Sequence, residues 1–308
     1  MASAQTIINK SLRLLGVLAS GEAPTAAEAF DSLESLNSLI DAYSASPLYY
    51  FTNLDEAFPL VINQGNYCIG NAAVPIVSLV GVGTTATATT AYPHSYQTGN
   101  RAKITGAVEA AFNLTGPVVV TSPTTFTYTI TSLTATATGT PVCTAGDFYT
   151  SRPIRLLAAF TRADTAGALV DSPLAVITEQ YWTNIQNKFE LMAIPLKVLY
   201  RPNYPFGQIL LYGTPSTAPY IHLKSEKTIS PYPTLVSDQL IPPGYRRLLE
   251  LSLAIDLAAE YGSKVPEQTV AFLKADLAAM VKTNMQYLQS SKLQSAAQSA
   301  AGTNTTTT

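Results

Sequence analysis

The chain has 308 residues, 47% of them hydrophobic and only 12% charged, with a formal net charge of -2. That length holds about two domains of roughly 100–200 residues, the hydrophobic share is enough for a sizeable core, and the charged share is about half the usual quarter. Few charges on so long a chain suit a subunit whose surface is partly covered by neighbours. No run of Lys or Arg supplies the basic stripe of a nucleic-acid binder, so sequence-specific binding is not expected. Lining a channel through which DNA slides would need no such stripe. No window of about 18 apolar residues marks a membrane span. Two cysteines, Cys68 and Cys143, are too few for a disulfide scaffold, and the N-terminal residues read as an amphipathic helix, not a signal peptide.

In chain order, Ile7, Ile8, Leu12, Leu15 and Leu18 recur at three- and four-residue steps, one face of a helix closed by Gly16 and Gly21. A second helix starts at Pro24-Thr25, where Thr25 and Glu28 have capping-box spacing. Its buried stripe is Ala29, Leu33, Leu36 and Ile40, and Pro47 ends it. Leu54 to Ile69 reads as a hairpin about Asn63-Gln64-Gly65-Asn66. From 71 to 146 charges almost vanish and Thr, Ala, Val and Gly dominate. Val118-Val119-Val120 and Phe126 to Ile130, bounded by Gly116-Pro117 and Ser122-Pro123, read as strands of a small all-β unit.

Beyond it, Phe148 to Phe160 reads as a strand, with a turn at Asp164 to Gly167 and a return strand from Leu169. Thr178 caps a short helix to Ile185. Strands follow at Leu196 to Tyr200, Gln208 to Tyr212 and Tyr220 to Lys224. Pro242-Pro243-Gly244 leads into a helix reaching Tyr261 that is apolar on nearly every side, hence buried from several directions. Pro266 opens the last helix, with Val270, Leu273, Leu277, Met280 and Leu288 on its stripe and Asn284 a polar break. The segment from Gln289 to Thr308 is Ser, Ala, Gln and Thr, too polar to order itself.

The expected fold class is therefore α+β: a helical bundle from the N- and C-terminal helices, a mainly antiparallel β domain, and an inserted all-β module, Ig-like or a small sandwich or barrel. The expected boundaries are 1–70 with 147–288 for the core, 71–146 for the module and 289–308 for an extended tail.

No catalytic constellation emerges, and no metal or cofactor is expected. His94 lies in a Pro93-His94 turn and His222 in an alternating strand, neither with metal-ligating neighbours in sequence. Glu28, Asp31 and Glu34 share a helix face that reads as solvated, and Asp55-Glu56 beside a strand is no stronger. Gly81-Val82-Gly83 has no helix after it and is not a dinucleotide loop. Trp182 with Tyr181 reads as core, and the cysteines as buried thiols. The helix residues Leu248, Leu251, Leu253, Ile255 and Leu257 have two readings: core of one monomer, or packing against neighbouring subunits.

Several stretches resemble the head-to-tail adaptors, or tail accessory factors, of short-tailed phages. They are Ile7 to Val17, Gly21 to Thr25, Leu33 to Asn37, Ser151-Arg152-Pro153-Ile154-Arg155, Glu179 to Trp182, Leu240 to Tyr245, and Glu260-Tyr261-Gly262. The module is similar to small β modules of phage structural proteins, with Asn100 where these more often carry Asp. The resemblance implies a homo-oligomeric ring, usually of twelve copies, at the head–tail junction of the virion and assembled in the host cytoplasm. The portal lies above it and the tail hub, nozzle or fibre proteins below, and the ring helps retain packaged DNA. The tail would reach the portal through Gln289, Lys292, Leu293, Gln294, Gln298, Thr303 and Asn304. Two alternatives stand beside this: a peptidoglycan hydrolase, as some members of the family are described, and a β-rich decoration or adhesion protein.

Overall fold

The fold comes from a computed structural model, which describes residues 2–44, 52–165, 168–227, 230–239, 241 and 244–282. It is α+β, as the residue patterns require. Two compact units divide the chain, Met1–Thr52 with Thr228–Thr308 and Asn53–Lys227. This division differs from the expected one, because the main β-sheet falls with the barrel rather than with the helices.

The first unit begins with β1 (Ala2–Ser3), α1 (Ala4–Leu14) and α2 (Ala26–Ser44). Ser3 caps α1 by accepting the Thr6 N–H, and Gly16 takes φ +72° just past its end, the left-handed conformation glycine adopts without strain. The capping box of α2 is formed: Thr25 N donates to Glu28 Oε2 at 2.8 Å, and Glu28 N donates to Thr25 Oγ1 at 3.3 Å. Ala29, Leu36, Leu39 and Ile40 are buried on its inner side. Pro47 lies outside the described residues.

The second unit opens with β2 (Thr52–Pro59) and β3 (Asn66–Ile69). Then come β4 (Val74–Val82), β5 (Thr85–Thr90), β6 (Arg101–Ala107), a 3-10 turn at Ala110–Phe112, β7 (Thr115–Ser122), β8 (Thr125–Thr129), β9 (Ala135–Thr136) and β10 (Gly139–Ala145). Strands β10, β6, β7, β8, β5 and β4 pair in that order, and β4 pairs back to β10, closing a barrel of antiparallel strands; β9 adds to β4. Closure abolishes strand edges, which explains how a stretch so poor in charge can stand as a module. Alternate residues fill the interior, among them Ile76, Ala88, Ile104, Phe112, Val118, Phe126 and Cys143. Gly116-Pro117 lies inside β7, opposite Ala102 and Arg101, instead of bounding the strand.

The remaining strands are β11 (Arg155–Thr165) and β12 (Ala168–Val176), then α3 (Glu179–Thr183), β13 (Leu191–Met192), β14 (Lys197–Arg201), β15 (Gly207–Tyr212), β16 (Thr214–Pro215) and β17 (Tyr220–Lys227). Thr178 caps α3 as expected. The large sheet runs β2-β17-β11-β12-β14-β15-β3, and β12–β14 is a parallel pair. Two expectations are corrected here. Leu54 to Ile69 is not a hairpin, since β2 and β3 are the two edges of this sheet and pair with β17 and β15. Residues 148–154 are outside the strand, which starts at Arg155. The sheet is curved enough for both edges to meet one ring: Phe58 and Tyr67 each stack on Phe148, with centroids 4.5 and 5.0 Å away. The turn expected at 164–167 includes Ala166 and Gly167, which lie outside the described residues.

Back in the first unit, β18 (Asp238–Gln239) pairs with β1, and α4 (Tyr245–Glu260) follows, ended by Gly262 at φ +60°. Residues 267–282 are helical. One core joins Ile7, Ile8 and Leu12 of α1, Leu36 and Ile40 of α2, and Leu248, Leu249, Leu253 and Leu257 of α4, with Leu273, Leu277 and Met280 packed against it. Each such leucine contributes about 1.5–3 kcal/mol by leaving water. Ser11 lets α1 and α4 approach: its hydroxyl donates to the Glu250 carbonyl at 2.9 Å. Asn37 pins the returning chain, donating to the Tyr232 carbonyl at 2.9 Å and accepting its N–H at 2.8 Å.

Candidate functional site

The helix residues expected to pack between subunits are mostly spent inside the chain. Leu248, Leu253 and Leu257 are 0% exposed and Leu251 6%, so they offer no surface to a neighbour; Ile255 alone is partly exposed. Among the described residues of this unit, the large apolar side chains that are exposed are Phe30, Val236 and Phe272. Gln289, Lys292, Leu293, Gln294, Gln298, Thr303 and Asn304 lie outside the described residues, as do Asn284 and Leu288.

The chemistry-bearing side chains are mostly engaged in structural contacts. Glu28 belongs to the α2 cap, and the Thr25 donors hold its carboxyl below the usual value. Asp31 and Glu34 are exposed on α2. Asp55 approaches His222 at 3.5 Å, and the His222 ring stacks on Phe160. Glu56 pairs with Lys227 at 2.5 Å; burial pulls that ammonium below its ordinary pKa, and Glu56 opposes the shift. Glu226, wholly buried, is held by both nitrogens of an Arg155 fork at 2.5 and 2.7 Å. His94 is buried between Tyr96 and Phe126, its Nδ1 accepting the Tyr96 N–H at 3.0 Å, and burial lowers its pKa. Trp182 is buried beside Leu199 and Leu210. Both cysteines are free and buried. Among the described residues no group of three His, Cys, Asp or Glu could hold a metal, and no helix is long and apolar enough to cross a membrane.

The most connected polar group is one the sequence did not single out. Asp147 Oδ2 accepts from Cys68 N at 2.9 Å, Arg101 N at 3.1 Å and Cys68 Sγ at 3.2 Å, and its Oδ1 accepts from Gln64 Nε2 at 2.8 Å. It thus ties β3 of the large sheet to β6 of the barrel. Desolvation raises its pKa, and the converging donors oppose the shift. A single Asp before Phe148 carries no spacing signal, so only the fold reveals this role. Beside the junction lies a cleft of about 600 Å³, lined in part by Gln64, Asn66, Gln97, Arg101 and Phe189. These residues come from distant stretches of chain and formed no motif in sequence.

In comparisons with known proteins, no protein-family model matches the chain and no curated protein matches it.

Proposed function

We propose that the chain is a structural head-to-tail adaptor subunit, forming a ring between the portal and the tail of a phage virion. One observation carries this reading. The stretches of resemblance at the two ends of the sequence, Ile7 to Val17 and Leu33 to Asn37 at one, Leu240 to Tyr245 and Glu260 to Gly262 at the other, belong to one compact unit. Their apolar residues share one core, and Asn37 is bonded to the returning chain. In this reading the terminal helices form the bundle that makes the ring body. The closed barrel is a module inserted between Ile69 and Asp147. Ring contacts use the exposed residues of the helical unit, Phe30, Val236 and Phe272, and not Leu248 to Leu257. Residues 289–308 reach the portal, each binding weakly but many acting together in a closed ring.

Co-sedimentation with the portal protein of the same phage tests this. The full chain should sediment with the portal at fixed stoichiometry, and a chain ending at Leu288 should stay behind while remaining folded. Docking of the shortened chain at full strength would remove the tail as tether. Failure of the full chain to dock would remove the adaptor reading itself.

A further inference from the structure

The cleft of about 600 Å³ in the Asn53–Lys227 unit has a use that ring assembly does not require. We propose that it binds a neutral carbohydrate, with Phe189 as the stacking surface and Gln97, Thr98 and Arg101 as the groups that take hydroxyls. Its volume lies within the roughly 300–1,000 Å³ usual for small-molecule sites.

Phe189 is 56% exposed although it is held in place. A Cβ added to Gly65 would come within 2.9 Å of its Cδ1, so the glycine makes room for the ring, and Trp182 meets it edge-on with centroids 6.3 Å apart. A fixed, exposed aromatic ring presents a negative π face to the slightly positive C–H groups of a sugar.

The polar groups around it are positioned but only partly used. Gln97 Oε1 accepts from Asn66 Nδ2 at 2.6 Å, which fixes the carboxamide and leaves its amide hydrogens without an acceptor among the described residues. Thr98 Oγ1 accepts the Val120 N–H at 3.0 Å and keeps its own hydrogen to donate. Arg101 makes one long side-chain bond, 3.4 Å to the Thr115 carbonyl, and no ion pair among the described residues. An apolar ring face beside several free donors matches a pyranose, which alternates a C–H face with a rim of hydroxyls.

Charge does not call for an anionic ligand: Arg101 is the single cation among the described residues that line the cleft.

The test needs neither a portal nor a ring. The full chain is applied to an array of neutral and acidic oligosaccharides and bacterial polysaccharides, and a retained neutral glycan is then titrated by calorimetry. Phe189→Ala and Phe189→Leu should weaken binding about tenfold or more, and Gln97→Ala several-fold. Tyr220→Ala, outside the cleft, should bind like the parent. Phe189→Leu keeps an apolar side chain against Gly65, so its loss of binding reports the ring and not the fold. Retention of no neutral glycan, a preference for acidic ones, or undiminished binding by both Phe189 variants would overturn the proposal.

Discussion

Replacing Asp147 with Ala removes the acceptor for two backbone N–H groups and the Gln64 side chain at once. Cys68 is fully buried, so its N–H would have no water to turn to. One stranded buried donor costs about 1–3 kcal/mol, and the hydrogen bonds lost at more accessible groups add about 0.5–1.5 kcal/mol each. The sum is on the order of 3 kcal/mol. With a slope of about 3–6 kcal/mol per molar in guanidinium chloride, the midpoint of the transition involving the Asn53–Lys227 unit should fall by roughly 0.5–1 M. Asp147→Asn should cost less, about 1 kcal/mol, because its remaining oxygen can still accept from Cys68 and Arg101. Only the contact with Gln64 is then lost, because Gln64 Nε2 also donates to the Asn66 carbonyl at 2.9 Å and the amide cannot turn without breaking that bond. Equal midpoints for Asp147→Ala and the parent would refute the clamp. Equal damage from Asn and Ala would show that charge, not acceptor geometry, holds the junction.

Three further outcomes follow from the same structure. Leu248→Ala should destabilise the helical unit by about 2–5 kcal/mol, as expected for a buried leucine, measured by denaturant unfolding followed by far-ultraviolet dichroism; a loss under about 1 kcal/mol would contradict its place in the core. His94, held neutral by burial, has a folded pKa below its ordinary 6.5, so stability should rise with pH between the folded value and 6.5 and fall on acidification through that window. His94→Gln should flatten this slope, read as melting temperature against pH. Burial raises the Cys143 thiol to about 12 and holds the Cys68 thiol well above its ordinary value, so both should react with a thiol reagent only on unfolding; rapid labelling of the native protein would contradict their burial.

Legibility in the sequence followed the range of the forces involved. The caps at Thr25 and Thr178 act over three residues, and both were readable. The all-round apolar pattern of α4 correctly implied burial from several sides, yet could not say whether those sides belonged to this chain. Tertiary packing answers that, with α1, α2 and residues 267–282 around it. Strand pairing was less legible because period-two alternation gives a strand its faces but not its partner. Residues 63–66 have turn chemistry, and Asn63 does take φ +63°, but the strands on either side pair with β17 and β15 far along the chain. Barrel closure depends on Cys143 meeting Val74, about seventy positions apart, and no local pattern encodes it. The cleft was hidden for the same reason: Gly65, Gln97 and Phe189 are ordinary residues until the fold brings them together.

The most direct measurement of the adaptor proposal is the mass of the full chain in solution by light scattering, alone and mixed with the portal protein it is proposed to join. The account predicts a closed oligomer of fixed mass when the portal is present. A chain that stays monomeric in both conditions would contradict it.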